Sequence, residues 1–459
     1  MTKREVRARR GARIALPSGP AGQTSGETVA AALARKRRQA HESEPYEQLV
    51  GRYAGIAVRA GQLLWTATVG GDMPSATLRT FRKALTAFTE DAPVMPPELT
   101  ARTVSTELGR PPGEAFAEFD PVPFATGPVC QVHAAVLHDG RRVAVKIRYR
   151  GAAQALRTAL AGDEVRAALA PLLPAVAPGT TAAALQHTAS ELRGRVEESI
   201  GLLPEAAAQA EFAAAYRDHP FIHIPYVVPE LSTQRVLTME RVEGIGWAGA
   251  VAADSAARDR WGEVIYRFRA GSAHELGLAC AGQAGEGDHV CHDDGAVTFL
   301  GFRRVRRVGH EDVAALRDQT RVAGERRAEG LIELHRLQCG TVPDQDPGRL
   351  SAWHREMTRS LTGPQPFTCT TEWADAVAEA CLAVNRPCGA TERPLPAGPG
   401  CLFTIDVDTG TAALLGALGA TADWRAIRGE RDRGGPPGTP LGKLESAWKA
   451  ARMGDTDDH

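Results

Sequence analysis

Lys146 closes the apolar run Val143-Ala144-Val145 in the stretch RVAVKIRYRG, residues 142–151, and an acidic helical region, the segment VLTMERVEG and a hairpin follow it in order. Residues in that order could carry out phosphoryl transfer. A strand lysine neutralises nucleotide phosphates, a helix glutamate holds the lysine, a strand pair forms a hinge for adenine, and a last hairpin brings an aspartate to magnesium. Here the last hairpin reads HDDGAVTFLGFRRV, residues 292–305, with Asp293-Asp294-Gly295 as the turn and Val297 to Leu300 as the strand. The strand ends on Gly301, where the metal chemistry needs a carboxylate, and Arg303 stands two residues on.

The elements that must position these residues are legible in outline. Helical patterns start at Thr28 and Pro45, a further helix is expected over Ser75 to Thr89, and PPEL at 96–99 opens another that ends near Gly109. Residues 128–149 alternate apolar and polar around Asp139-Gly140 and predict a β-hairpin. Alanine-rich helical sequence fills 152–216, a second strand pair is expected over 221–244, and helices over 254–278, 310–338, 371–384 and 412–429. The sum is an α+β fold. Its expected divisions are a basic, partly disordered tail and helix over 1–44, a helical extension over 45–110, a small sheet with one helix over 111–244, and a helical part over 245–459.

Composition bounds the function. The 459 residues are 43% apolar and 24% charged, enough for a sizeable core and unlike a disordered chain. A formal net charge of −1 implies no general attraction to nucleic acid. The basic start, with Lys3, Arg4, Arg7 and the run Arg35-Lys36-Arg37-Arg38, reads as a solvated tail or as a peripheral contact with an anionic membrane. Eight cysteines without a C-x-x-C pair are expected to be buried thiols in a reducing compartment. No apolar stretch follows the basic start and none approaches eighteen residues, so a cytoplasmic protein is expected.

Taken together, the motifs resemble the UbiB/AarF family of atypical protein-kinase-like proteins over roughly residues 45–449. The family's K-x-G-Q is matched by Arg59-Ala60-Gly61-Gln62, and its alanine-rich loop ending in Q-V-H by FATGPVCQVHAAVL, which contains Gln131 and His133. Its E-x-D with a following glutamate resembles Glu191-Leu192-Arg193 and Glu197, and its hinge resembles VPELSTQRVLTMERVEG, residues 228–244. ATADWRAI at 420–427 and PPGTPLGKLESAW at 436–448 resemble its C-terminal stretch. The resemblance implies an atypical protein-kinase-like two-lobed fold with a helical N-terminal extension. It also implies an ATP or ADP site built on Lys146, Glu197 and the hinge at Met239, Glu240 and Arg241, with His133 pinning the loop above it.

The same resemblance exposes what is missing. The catalytic loop H-x-D-P-H-P-G-N falls on AGQAGEGD, residues 281–288, so Gln283 replaces the base and Asp288 the metal asparagine, while Gly301-Phe302-Arg303 replaces Asp-Phe-Gly. Gln283 cannot accept a proton as a carboxylate does, so no catalytic residue is assigned. Asp288 is a weak metal candidate, which disfavours magnesium, and Arg303 is a candidate for neutralising phosphates directly. His289, Cys291 and His292 have no known metal spacing. The expected function is that of a catalytically degenerate pseudokinase that supports isoprenoid, quinone or other lipid metabolism as scaffold or regulator, with a protein or lipid-pathway enzyme as partner. Two alternatives stand beside it: an active ATPase or atypical kinase with relocated acids, and a module that binds a small molecule other than a nucleotide.

Overall fold

The computed structural model describes residues 94–127, 129–154, 157, 200–280, 286–309, 347–384, 399–432 and 435–456. Apart from residues 151–154 and 157, all of these belong to one compact unit made of residues 94–150 and 193–459. The expected elements before residue 94 and over 310–338 lie outside the described residues, as do Arg59, Gln62, Glu191, Glu197 and Gln283.

The unit opens with helix α1 (Pro97–Leu108), which has proline in its first turn and ends on Gly109 in the left-handed conformation. A single helical turn, α2 (Pro112–Ala115), leads into an antiparallel sheet of β1 (Glu118–Phe119), β2 (Ala125–Thr126), β3 (Cys130–Val136), β4 (Arg142–Arg148) and β6 (Val236–Glu240). The order is β1-β3-β4-β6, with β2 also on β3, so β4 runs down the middle. Alternation along β4 sends Val143, Val145 and Ile147, all fully buried, to one face and Ala144 and Lys146 to the other. Helix α3 (Leu202–Ala215) packs beside β6, and its buried residues Leu202, Glu205, Ala206, Gln209 and Phe212 fall at helical spacing on one face.

The segment 221–244 departs from the expected strand pair. Its first strand, β5 (Ile222–His223), pairs in parallel with β9 (Val297–Phe299), whereas β6 joins β4. The reason is steric: Pro225 and Pro229 interrupt the run and redirect the chain, leaving only a bridge between Val227 and Met239 of the local hairpin.

The helical part is organised by α5 (Ser255–Leu276), which follows the short α4 (Trp247–Ala252). Asp254 caps α5 by accepting from the amide of Ala257 at 2.9 Å, and Gly277 closes it at φ 61°. Trp261, Val264, Ile265 and Phe268 form its core stripe, each burial stabilising by about 1.5–3 kcal/mol. Strand β7 (Leu278–Cys280) pairs with β10 (Val305–Arg307), and β8 (His289–Cys291) with β9, confirming the hairpin read at 292–305. Helices α6 (Pro347–Thr362), α7 (Thr371–Val384), α8 (Pro399–Leu418), α9 (Trp424–Asp432) and α10 (Pro440–Thr456) complete the unit, with β11 (Phe367–Thr368) and β12 (Thr421–Ala422) as a small clip. The helical stretch expected over 412–429 falls on two helices, because Gly419 takes a left-handed turn at φ 63° and ends α8.

One buried arginine ties α5 to the last two helices. Arg267, 1% exposed, bonds Glu263 at 2.7 Å, Glu430 at 2.8 Å, Glu445 at 2.7 Å and the hydroxyl of Thr439 at 2.9 Å. Burial alone would lower its pKa, but the bond from Glu430 and the charges of Glu263 and Glu445 hold it above the ordinary value. Arg267→Ala would leave three buried carboxylates around one missing cation. We expect it to cost about 3–5 kcal/mol, read as a lower urea midpoint.

Candidate functional site

Strand β4 delivers Lys146 from the middle of the sheet, and α3 delivers the carboxylate that meets it. The Lys146 ammonium donates to both oxygens of Glu205 at 2.8 Å, and both side chains are nearly shut off from solvent. Among the described residues Glu205 is thus the helix carboxylate that holds the lysine, while Glu197 lies outside them. The sequence signal was available: Glu205 interrupts an otherwise apolar and amide face made by Leu202, Ala206, Gln209 and Phe212. An acid there needs a buried partner.

Two residues further along the same face complete the framework. Gln209 donates to the carbonyl of Pro225 at 2.8 Å, fixing the approach to β6. The ring of Phe212 meets that of Phe302 at 4.9 Å, and Phe302, 1% exposed, also lies against Phe268. Phe302 thus retains the packing expected of the central residue of Asp-Phe-Gly while both of its neighbours have changed.

Those neighbours make a second ion pair. Arg303 donates to Asp288 at 3.3 Å, and Asp288 holds its guanidinium pKa above the ordinary value against the opposing effect of burial. Gly301 stands at φ 79°, a conformation that favours glycine, and a Cβ there would fall onto the Asp288 carboxylate, 2.7 Å from its Cγ. The aspartate side chain of an Asp-Phe-Gly motif and Asp288 in its present place exclude one another. Asp288 was a candidate metal ligand and Arg303 a candidate phosphate ligand; the structure pairs them.

Cys130, at the start of β3, lies among these four charges. Burial raises its thiol pKa, while Lys146 and Arg303 pull it down and Glu205 and Asp288 push it up. The cluster holds two cations and two anions, and its formal charge cancels. Among the described residues no group of three histidine, cysteine, aspartate or glutamate side chains is arranged to hold a metal ion. His289 and Cys291 are instead core residues: His289 lies 5.6 Å from the rings of Trp247 and Phe299, and burial pushes the Cys291 thiol up to about 12. His292 bonds Thr298 at 2.8 Å.

Gln131 and His133 lie on the other face of β3 from Cys130, away from Lys146, whose register partner is Val132. His133 bonds the carbonyl of Asp120 at 2.8 Å through Nδ1 and Gln131 at 2.8 Å through Nε2, and Gln131 accepts from the amide of Met95 at 2.8 Å. Burial holds the His133 pKa below the ordinary value, in keeping with a neutral ring. The place of His133 is structural: it bonds the chain at Asp120, and with Gln131 it fastens the segment before α1 to the back of the sheet. At the hinge, the amide of Glu240 donates to Tyr226 and that of Arg241 to Arg142. The Glu240 side chain bonds His223 at 3.0 Å, and Arg241 lies over the ring of Phe124 at 5.3 Å. Met239 pairs with Ala144 across the ladder. The hinge backbone at 239–241 is thus largely engaged within the sheet.

Residues 87–266 match the ABC1 atypical kinase-like domain. This match and the relatives named below support the resemblance to the UbiB/AarF family. It is 30% identical over 190 residues to the Saccharomyces cerevisiae atypical kinase COQ8, which is 41% of this chain and 36% of that one. It is 33% identical over 191 residues to rat atypical kinase COQ8B, 42% of this chain and 34% of that one. A probable protein kinase UbiB of Marinobacter nauticus is 30% identical over 174 residues, 38% and 31% of the two chains. The matches thus span about a third of these curated relatives. A solved structure, Rv3197 of Mycobacterium tuberculosis in complex with erythromycin, is similar with a TM-score of 0.57 at 26% identity over 74% of this chain and 84% of that one. The mixed helix and sheet architecture is the α+β kinase-like fold. Lys146 is thus paired with a helix glutamate, and Gly301 and Arg303 stand at the two positions where the resemblance expects Asp-Phe-Gly to have its aspartate and glycine.

Restoring the family's aspartate alone should therefore fail. Gly301→Asp places a side chain at a left-handed φ and against Asp288, and we expect a loss of about 1–3 kcal/mol. Combining it with Asp288→Ala should recover part of that loss in a double-mutant cycle, because the second change empties the space the first one needs.

Proposed function

We propose that this protein is a UbiB/AarF-type pseudokinase that binds ATP or ADP without magnesium and acts as a scaffold or regulator in isoprenoid, quinone or other lipid metabolism. The Arg303–Asp288 pair carries the reading. It places a permanent cation at the vacated metal end and commits the nearest carboxylate to that cation. Lys146, aligned by Glu205, supplies the second positive group for phosphates. Phosphoryl transfer would still need a base and metal-borne charge neutralisation, and Gln283 and Gly301 offer neither. The metabolic setting is supported by kinship with the UbiB and COQ8 proteins.

Thermal unfolding with ADP or ATP, in magnesium or in EDTA, tests the reading. The expected result is a rise in midpoint that is equal in both buffers and absent in Lys146→Ala. A rise that requires magnesium, together with phosphate release lost in Asp288→Asn, would install the active-enzyme alternative. Absence of any nucleotide effect would remove the nucleotide from the proposal.

One observation favours a second reading, a small-molecule binding module: the similar M. tuberculosis structure is a complex with erythromycin. On that reading erythromycin raises the midpoint of this chain with or without nucleotide, and Lys146→Ala leaves the effect intact. An unchanged midpoint at saturating erythromycin would count against it.

A further inference from the structure

The helical part holds a partly open cavity of ≈ 130 Å³ that shares no residue with the Lys146 site. Five helices wall it: α5, α6, α7, α8 and α9. Its apolar wall is aromatic, with Tyr266, Trp353, Trp373 and Trp424. A cavity of about 150 Å³ is enough to hold benzene; this one is of that order and open on one side, so it suits a single ring whose small substituent reaches toward the opening. A macrolide is far too large for it.

Two polar groups on its wall lack partners. The indole nitrogen of Trp373 is buried with no hydrogen bond, although the residue is only 6% exposed. Such an indole N–H ordinarily finds an acceptor. Asp408 on α8 keeps accessible surface where it lines the cavity, and among the described residues no hydrogen bond or ion pair reaches its carboxylate. Burial raises the Asp408 pKa to about 6, while Arg428 and Arg269 lower it. Arg269 is directed elsewhere, donating to Thr411 Oγ1 at 2.8 Å and to the Val407 carbonyl at 3.2 Å. The charged and titratable groups that line the space are thus Arg269, His354, Asp408 and Arg428. Arg428 and Arg269 act on Asp408 by charge but give its carboxylate no hydrogen bond among the described residues; in a cavity that is also lined by aromatic rings, an ammonium supplies that bond and the rings attract it.

We propose that this cavity is a binding site for a small, largely apolar organic cation, a primary or tertiary amine of about the size of benzylamine, held by Asp408 and the surrounding tryptophans. The site is independent of the nucleotide reading, and either can fail without the other.

Calorimetry on the full chain at pH 8, where Asp408 is ionised, tests the proposal with three probes of matched shape: benzylamine, toluene and benzoate. Benzylamine is expected to bind at least tenfold more tightly than toluene, and benzoate not at all. Asp408→Asn should bring benzylamine down to the toluene level while toluene binding is kept, which also shows that the variant has folded around an intact cavity. A change in Trp fluorescence on benzylamine addition, reduced in Trp373→Phe, is expected to accompany binding. Equal affinity for benzylamine and toluene would overturn the cation preference and leave only an apolar void. Tighter binding of benzoate would assign the site to anions through Arg269 and Arg428, and no binding of any probe would overturn the site itself. The wild-type comparison decides the matter even if Asp408→Asn fails to fold.

Discussion

A lysine and a glutamate cannot be left apart in a dry interior, and in this protein that requirement organises the rest. Lys146 sits on the central strand with its neighbours in register on both sides, so its position is fixed by the sheet. Glu205 must come to it, and bringing Glu205 brings the whole face of α3. The same helix then places Gln209 against the segment leading to β6 and Phe212 against Phe302. Removing either charge would strand the other where water cannot reach it, a cost several times that of an exposed pair. The pair thus fixes the helix, and the helix fixes the hairpin end that carries Gly301 and Arg303.

That hairpin end shows how three residues can hold one another in place. Phe302 still fills the core beneath α3, so the backbone there is held. With a glycine at 301, Asp288 can move into the freed volume, and Arg303 pairs with it. Each of these three residues makes sense only in the presence of the other two. A carboxylate placed at 301 therefore meets a clash, not an empty site.

The parts legible in the sequence were those whose signal is local. The β3–β4 hairpin follows from alternation around Asp139-Gly140, α1 from its proline start, and α7 from its helical pattern. Lys146 was visible as a charge closing an apolar strand. What sequence reading missed depends on contacts between distant segments. Glu205 lies 59 residues from Lys146, and only the composition of its helix face marks it as buried. Asp288 and Arg303 were each read alone, because nothing in a linear pattern shows that two charges 15 residues apart meet across a hairpin. The misread pairing of 221–244 has the same origin: the partner of β5 is β9, more than seventy residues on. His133 was placed in the right strand, and its face was decided by register, which alternation alone does not align to a ligand.

The Arg267 cluster bears on the order in which this chain can mature. The arginine is synthesised well ahead of two of its three carboxylates, Glu430 and Glu445, which follow 163 and 178 residues later. While the chain is growing from its N-terminal side, α5 carries a cation that only Glu263, one turn away, can answer. The helical part can collapse around Trp261 and Phe268 in that interval, but its charge remains unbalanced until α9 and α10 have left the ribosome. The final helices therefore act as a completion signal, and a nascent chain stopped short of them would present to chaperones and proteases a domain that looks collapsed and is not locked.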